Sequence, residues 1–496
     1  MIPQRSRARA AALAVLALLP ALAAQSQPAK DARRVELDAQ LGKELSKFAR
    51  TVSTQKWHTL AREIAALVVE HYDADDNTAR RLLGQRKVRG SWQQDKPKSQ
   101  LPGDGIDDRR RQGLAPKWQE LQQRAGALHR DLGMRLLDEG AKQAAQREFD
   151  LALWFLPDDA QVHRALGHQQ FEGLWGTAED IAFCKRMQAI VGKANELAQK
   201  DYEVTEVPLS ELPPELKATG LTFAGARGPN YTYWLTDSFE AAASCVTWSE
   251  RCHELLKDLL GADAEILRGN AWRWHAILRT GEQRDALLQK SPTTMGPFKF
   301  DQARLFAGLG FAAEGGGRAA VTWQPQNLDA DYSVANVTKR HLQDQRNEGL
   351  GEGLTHVTTW LLCGTTRTWF ADLPKTVVGD AKPMGRDPKE WLQSLWKEID
   401  EGRDFPLLQV PRERADNFRD SARLKAWSFM CWMLARYPDK WWPLIMSLSG
   451  GTFSEEDCAH AFEEVLGRPV AEIDAEWRRW ARRGSKLGEA SGWTLD

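Results

Sequence analysis

At 496 residues, with 42% hydrophobic and 27% charged side chains, the chain is too long for one typical core and reads as two or three globular domains. A formal net charge of -1 supplies no bulk field for nucleic acid or an anionic membrane, so no nucleic-acid partner is expected. The 21 tryptophans are the one unusual feature, and most are expected in core and inter-helix packing, with a minority available to a sugar- or peptide-binding groove.

The chain begins with a stretch that reads as a secretory signal over 1–24. Arg5, Arg7 and Arg9 precede a short apolar run, and Ala21-Leu22-Ala23 is a small-residue cleavage pattern. The run falls short of the roughly 20 apolar residues that span a bilayer. No later segment is long and apolar enough either. The expectation is an exported protein, periplasmic or extracellular, without a transmembrane anchor. The six cysteines, Cys184, Cys245, Cys252, Cys363, Cys431 and Cys458, form no C-x-x-C pair, which excludes a zinc ribbon. Cys245 and Cys252 on one helix stand about 10 Å apart, beyond disulfide reach. Buried free thiols, with at most one or two bridges, are expected.

An internal repeat organises the front of the chain. 75-DDNTARRLLGQRKVRGSW-92 aligns with 158-DDAQVHRALGHQQFEGLW-175 at a constant offset of 83, pairing Asp75/Asp158, Asp76/Asp159, Arg81/Arg164, Leu83/Leu166, Gly84/Gly167, Gly90/Gly173 and Trp92/Trp175. Each copy follows an amphipathic helix, 57–72 or 141–156, and its aspartates suit the N-cap of the next helix. The second copy, with 128–140 before it, looks like a tetratricopeptide-type helix pair. Between the copies, 93–113 is polar and punctuated by Pro and Gly, and reads as a mobile loop. The resulting layout is a first helical repeat region with this loop over 25–115, a tetratricopeptide-like region over 116–203, and a Pro- and Glu-rich linker over 204–227. Such helices offer either a partner-binding surface or a plain spacer.

The pattern then changes. Strands are expected at 230–236, 271–280 and 318–325, with a long helix at 238–261, and from 335 onward the chain reads as helical. The fold class is mainly α with an α+β C-terminal half. Ser454 and Gly467 bracket a helix over 454–466, and another follows Pro469, with Trp477 and Trp480 facing inward and Arg478, Arg479, Arg482 and Arg483 in a solvated last turn.

The stretch 352-EGLTH-356 carries the chemical question. On a helix, Leu350, Leu354, Val357 and Leu361 make one apolar stripe, while Glu352, His356, Thr359 and Cys363 make a second face. Glu352 and His356, four apart, can reach one metal ion. Gly349, Gly351 and Gly353 are poor helix residues and mark either a late helix start or close packing against another backbone.

Over roughly 228–485 the order of segments resembles a gluzincin-type, peptidase MA-like metallopeptidase domain, leaving a tail over 486–496. The 350–362 helix stands where the zinc-binding helix would be. 368-TWFADLPKTVV-378 resembles the segment that carries the third ligand, 425-KAWSFMCWML-434 the backing helix, and 450–480 the closing pattern. The resemblance implies a zincin-like fold behind helical repeats. It maps the first His ligand onto Glu352, the general base onto Gly353, the second His onto His356 and the third ligand onto Asp372. A zinc hydrolase needs three protein ligands, an open position for water and a base. Here the base is absent, and two carboxylates with one His suit zinc less well than two His with one carboxylate. Three readings stay open: His356 as a packing histidine, Glu352, His356 and Asp372 as a weak or vestigial metal site for zinc, and a rearranged hydrolytic site. No cofactor is otherwise implied. The expected role is that of an exported pseudoenzyme that binds a protein, peptide or glycan through its repeats or an old cleft, the alternative being a divergent zinc-dependent endopeptidase.

Overall fold

A computed structural model describes residues 32–95, 101–265, 267, 274–290, 312–315, 319–323, 329–342, 347–366, 385, 387–413, 418–449 and 452–494. The stretch 1–24, where a signal is expected, and the segment 368–378, with Asp372, lie outside the described residues. The chain divides into two compact units, 1–168 and 169–496.

In the first unit α1 (Ala32–Thr54), α2 (His58–Leu67), α3 (Asn77–Leu82), β1 (Gln85–Val88), β2 (Ser91–Gln94), α4 (Asp108–Asp138), α5 (Lys142–Phe155) and α6 (Ala160–Ala165) follow in order. The expected loop at 93–113 ends early, because the Asp107 carboxylate accepts the Arg110 N–H and starts α4. Arg109, Arg110 and Arg111 are therefore helical. Leu121, Ala125 and Leu132 of α4 share one core with Phe149 and Ala152 of α5 and with Leu41 and Leu45 of α1. Inside that core His129 is fully buried. Its Nδ1 donates to Glu148 Oε2 at 2.7 Å, and the Tyr72 hydroxyl lies 2.6 Å from its Nε2. Arg34 holds Glu148 Oε1 at 2.5 Å and Asp38 at 2.6 Å.

The repeated sequence is a short helix followed by a hairpin. Asp76 accepts from the Ala79 N–H and Asp159 from the Gln161 and Val162 N–H groups, so both copies use the expected Asp N-cap. Gly84 and Gly167 then leave the helix at φ 75° and 71°. In the first copy Val88 pairs with Ser91 across Arg89-Gly90, both at positive φ (50° and 85°). In the second, Phe171 of β3 (Gln169–Phe171) pairs with Leu174 of β4 (Leu174–Gly176) across Glu172-Gly173 at 47° and 78°. These are two-residue turns of the type that matches strand twist, and the repeated Gly occupies the position that least tolerates a side chain. In the first copy the Trp92 indole N–H donates to Asp75 at 2.9 Å, which gives that repeated pair a shared job. The second copy runs across the division between units: α6 closes the first, and the hairpin opens the second.

The second unit continues with α7 (Ala178–Ala198), β5 (Thr205–Val207), α8 (Pro214–Lys217), β6 (Ala224–Arg227), β7 (Thr232–Leu235), α9 (Phe239–Leu260), β8 (Trp274–Leu278), α10 (Gly281–Lys290), β9 (Ala312–Gly315) and β10 (Ala319–Trp323). The six strands form one mixed sheet in the order β5-β6-β7-β8-β10-β9. β7, β8 and β10 run parallel, and the other pairs are antiparallel. The strands expected at 230–236, 271–280 and 318–325 are its centre. β7 is buried at every position, as a strand covered on both faces must be. Helix α9 packs on β6 and β7.

Then come α11 (Asp329–Leu342), α12 (Glu348–Cys363), α13 (Pro388–Asp400), α14 (Asp420–Arg436), α15 (Trp441–Ser447), α16 (Glu455–Leu466), α17 (Val470–Ala481) and α18 (Lys486–Ala490). The chain is mainly helical with a small mixed sheet in its C-terminal half, and no described helix is long and apolar enough to cross a membrane. Ser454 and Asp457 form a reciprocal cap at the start of α16, and Gly467 ends it at φ 74°. Trp477 and Trp480 are fully buried. Arg478, Arg479, Arg482 and Arg483 are exposed, as expected, and Arg478 also pairs with Asp404 and Asp474, and Arg479 with Asp180. No disulfide joins the six cysteines, and five of them are buried.

Candidate functional site

Helix α12 is the centre of the second unit, packed against α7, α11 and α14. Its start is fixed by Asn347, whose side-chain oxygen accepts the Leu350 N–H at 2.9 Å while its amide donates to the Leu448 carbonyl at 3.2 Å. Its end is fixed by Gly364 in the left-handed region at φ 67°. Leu350, Leu354, Val357 and Leu361 are buried as the spacing predicts. On the second face Glu352, His356 and Thr359 are buried too and Cys363 is partly buried, so the middle of this helix is enclosed. Thr355, Thr358 and Thr359 satisfy their hydroxyls on carbonyls of the helix itself, which lets polar residues sit in a dry core.

Two of the three glycines are there for close approach. A Cβ at Gly349 would lie 1.8 Å from the Val410 carbonyl oxygen, and one at Gly353 would lie 2.6 Å from the Ala426 carbonyl oxygen on α14. Gly351 has nothing within 4 Å. The position that maps onto the general base is thus closed by a neighbouring backbone, as well as lacking a side chain.

Glu352 and His356 do come together. His356 Nε2 lies 3.8 Å from Glu352 Oε1, and both residues are buried. The structure adds two partners that the sequence pattern did not bring forward. Lys339 of α11 places its ammonium 2.6 Å from Glu352 Oε2, and Arg423 of α14 places Nη1 3.9 Å from Oε1. Burial alone would raise the Glu352 carboxyl, but Lys339, His356 and Arg423 outweigh it and hold the group down at about 2. Glu352 is therefore an ionised carboxylate with a bound ammonium. Asp372 lies outside the described residues, and among the described residues no group of three His, Cys, Asp or Glu could hold a metal ion. The donors present do not fit a divalent cation, because one oxygen of Glu352 is taken by an ammonium and the other faces a guanidinium.

The surroundings are aromatic. The Trp391 ring meets His356 edge-on at 4.8 Å, and Trp391, Trp427, Trp360 and Trp493 continue the contact chain at 4.9–6.1 Å. The Trp391 indole N–H donates to the Gly385 carbonyl at 2.8 Å. These rings account for several of the tryptophans as packing.

A second buried charge centre escaped the sequence pattern as well. Lys425 is fully buried, with Nζ 2.5 Å from Asp474 and 3.1 Å from Asp404. Burial lowers its pKa, while the two aspartates support its charge. The available signal was a Lys or Arg inside 422-ARLKAWSFMCWMLA-435, a run otherwise apolar enough to be a core helix, since a buried charge there requires a partner.

Open space lies elsewhere in the unit. A cavity of about 1070 Å³ runs along α9 and is lined by Tyr202, Asn230, Tyr231, Glu250, His253 and Asp258, among others. Glu250 accepts the Asn230 and Tyr231 N–H groups at 2.6 and 3.1 Å, and the Tyr231 hydroxyl lies 3.1 Å from His253 Nδ1. Burial raises the Glu250 carboxyl and lowers His253. The His253-Glu254 pair is not a metal motif: Glu254 is held by Lys200 and the Tyr202 hydroxyl, both at 2.6 Å. Comparison of the chain with protein-family models, with curated proteins and with solved structures finds no match.

Proposed function

We propose that this chain is an exported, non-catalytic binding protein, a metallopeptidase-like pseudoenzyme that holds a protein, peptide or glycan ligand. The observation that carries the reading is the closed position at Gly353. A metal hydrolase must place a base beside its activated water, and here that position is filled by the Ala426 carbonyl. Glu352 and His356 are 4% and 0% exposed, so substrate cannot reach them without displacing Trp391 and its neighbours. Ligand binding falls instead to open surfaces. The α9 cavity combines tyrosine rings with carboxylate, amide and imidazole groups, the mixture that peptides and glycans use. The helices before the division supply a second surface, with Trp154 39% exposed.

The test is a broad peptide-library cleavage assay on the mature chain, with and without chelator. No cleavage is expected in either condition, and Gly353→Glu is expected to lose folded protein rather than gain activity. Cleavage abolished by the chelator would establish the divergent endopeptidase instead.

A further inference from the structure

The cation beside Glu352 is part of the chain. Lys339 and Glu352 come from the packed pair α11 and α12, and their charged atoms lie 2.6 Å apart with Glu352 4% exposed. Arg423, itself 2% exposed, faces the same carboxylate from α14. Three helices thus converge on one ionised carboxylate and bring two fixed positive charges to it. We infer that Lys339 is the resident cation of this site: its tethered ammonium holds the place that a divalent metal would take beside Glu352 and His356, so the site is metal-free by construction. This inference rests on the non-catalytic reading in taking the buried charge cluster as permanent.

Electrostatics supplies the argument. A zinc ion on Glu352 and His356 would sit about 2 Å from each donor atom. That places it against the Lys339 ammonium, which already occupies the Glu352 Oε2 side, and near Arg423. The protein interior screens this repulsion less than water does. The ammonium gives the carboxylate a charge-assisted hydrogen bond without any need for an external ion. The predicted consequence is asymmetric: the wild-type chain ignores zinc, and removing the ammonium creates both an instability and a vacancy for a cation.

Thermal unfolding of the full mature chain, with and without zinc, tests this together with calorimetric titration of zinc alone. Wild type is expected to show no zinc-dependent shift and no stoichiometric uptake. Lys339→Met, which keeps the aliphatic stem, is expected to melt about 5 °C or more below wild type, with zinc restoring part of that loss. Adding Glu352→Gln to that background is expected to abolish the zinc response. If Lys339→Met is recovered unfolded, refolding in zinc is expected to rescue it, and failure to do so counts against the inference. One zinc per wild-type chain, lost in Glu352→Gln, would overturn it. So would a Lys339→Met protein that melts like wild type. Chelator-insensitive cleavage by a zinc-silent wild type would overturn the non-catalytic reading while leaving the Lys339 assignment standing.

Discussion

Gly349→Ala is expected to destabilise the second unit by about 3 kcal/mol, at the upper end of overpacking costs. Propensity alone predicts the reverse sign, since Ala in a helix interior is favoured over Gly by about 1 kcal/mol. Packing decides the sign. The new Cβ would meet the Val410 carbonyl oxygen at 1.8 Å, and the Pro411 Cα lies only 3.3 Å away. A backbone carbonyl cannot swing aside as a side-chain tip can, so the segment Leu407–Arg412 has to move. Gly353→Ala should be destabilising for the same reason and by less, because its closest atom is 2.6 Å away. Gly351→Ala is the internal control. Its Cβ has nothing within 4 Å, and the change should stabilise by up to about 1 kcal/mol. Urea unfolding followed by tryptophan fluorescence ranks the three. Equal effects at 349 and 351 would show that close helix packing is not what these glycines serve.

In the first unit, Glu148→Ala is expected to cost about 3–5 kcal/mol, the range for removing one partner of a buried ion pair. Glu148 bridges Arg34 of α1 and His129 of α4, so its loss strands charge and polarity in the core between helices. The effect should depend on pH. Burial pushes the Glu148 carboxyl upward, but the hydrogen bond from His129 and the Arg34 guanidinium outweigh it, and the net direction is downward. A depressed folded-state value means that the contribution is complete above the unfolded-state value, about 4.3, and is lost as pH falls through the folded one. The stability gap between wild type and Glu148→Gln, read from urea midpoints, should therefore be full at pH 7 and shrink in acid. A gap that widens in acid would mean that Glu148 is held in its protonated form.

How much of this was legible in the sequence depended on periodicity and punctuation. The apolar stripe of α12, the capping pairs at Asp76 and Asp159, and the stop at Gly467 follow from local spacing, and each sits where that spacing placed it. The 83-residue repeat was visible as identities, but its hairpins were not. Strands of three or four residues are too short to show alternation, and Gly90 and Gly173 were the only sign of the turns. At the candidate site, Glu352 and His356 were found because a helix puts residues four apart on one face. Lys339 and Arg423 were missed because their meeting with Glu352 is set by how three helices cross.

The buried cysteines have a consequence under the proposed export. Burial pushes the thiols of Cys184 and Cys252 up to about 12 and that of Cys431 well above its ordinary range, so thiolate, the form that oxidises or exchanges, is nearly absent while the core is closed. Once the core opens, the thiols become ordinary and can pair with one another. In an oxidising compartment each opening would be a one-way risk, and survival would be set by how seldom the second unit unfolds rather than by its equilibrium stability. The rate at which these thiols take up an alkylating reagent is then a clock for core opening, written into the chain without any added label.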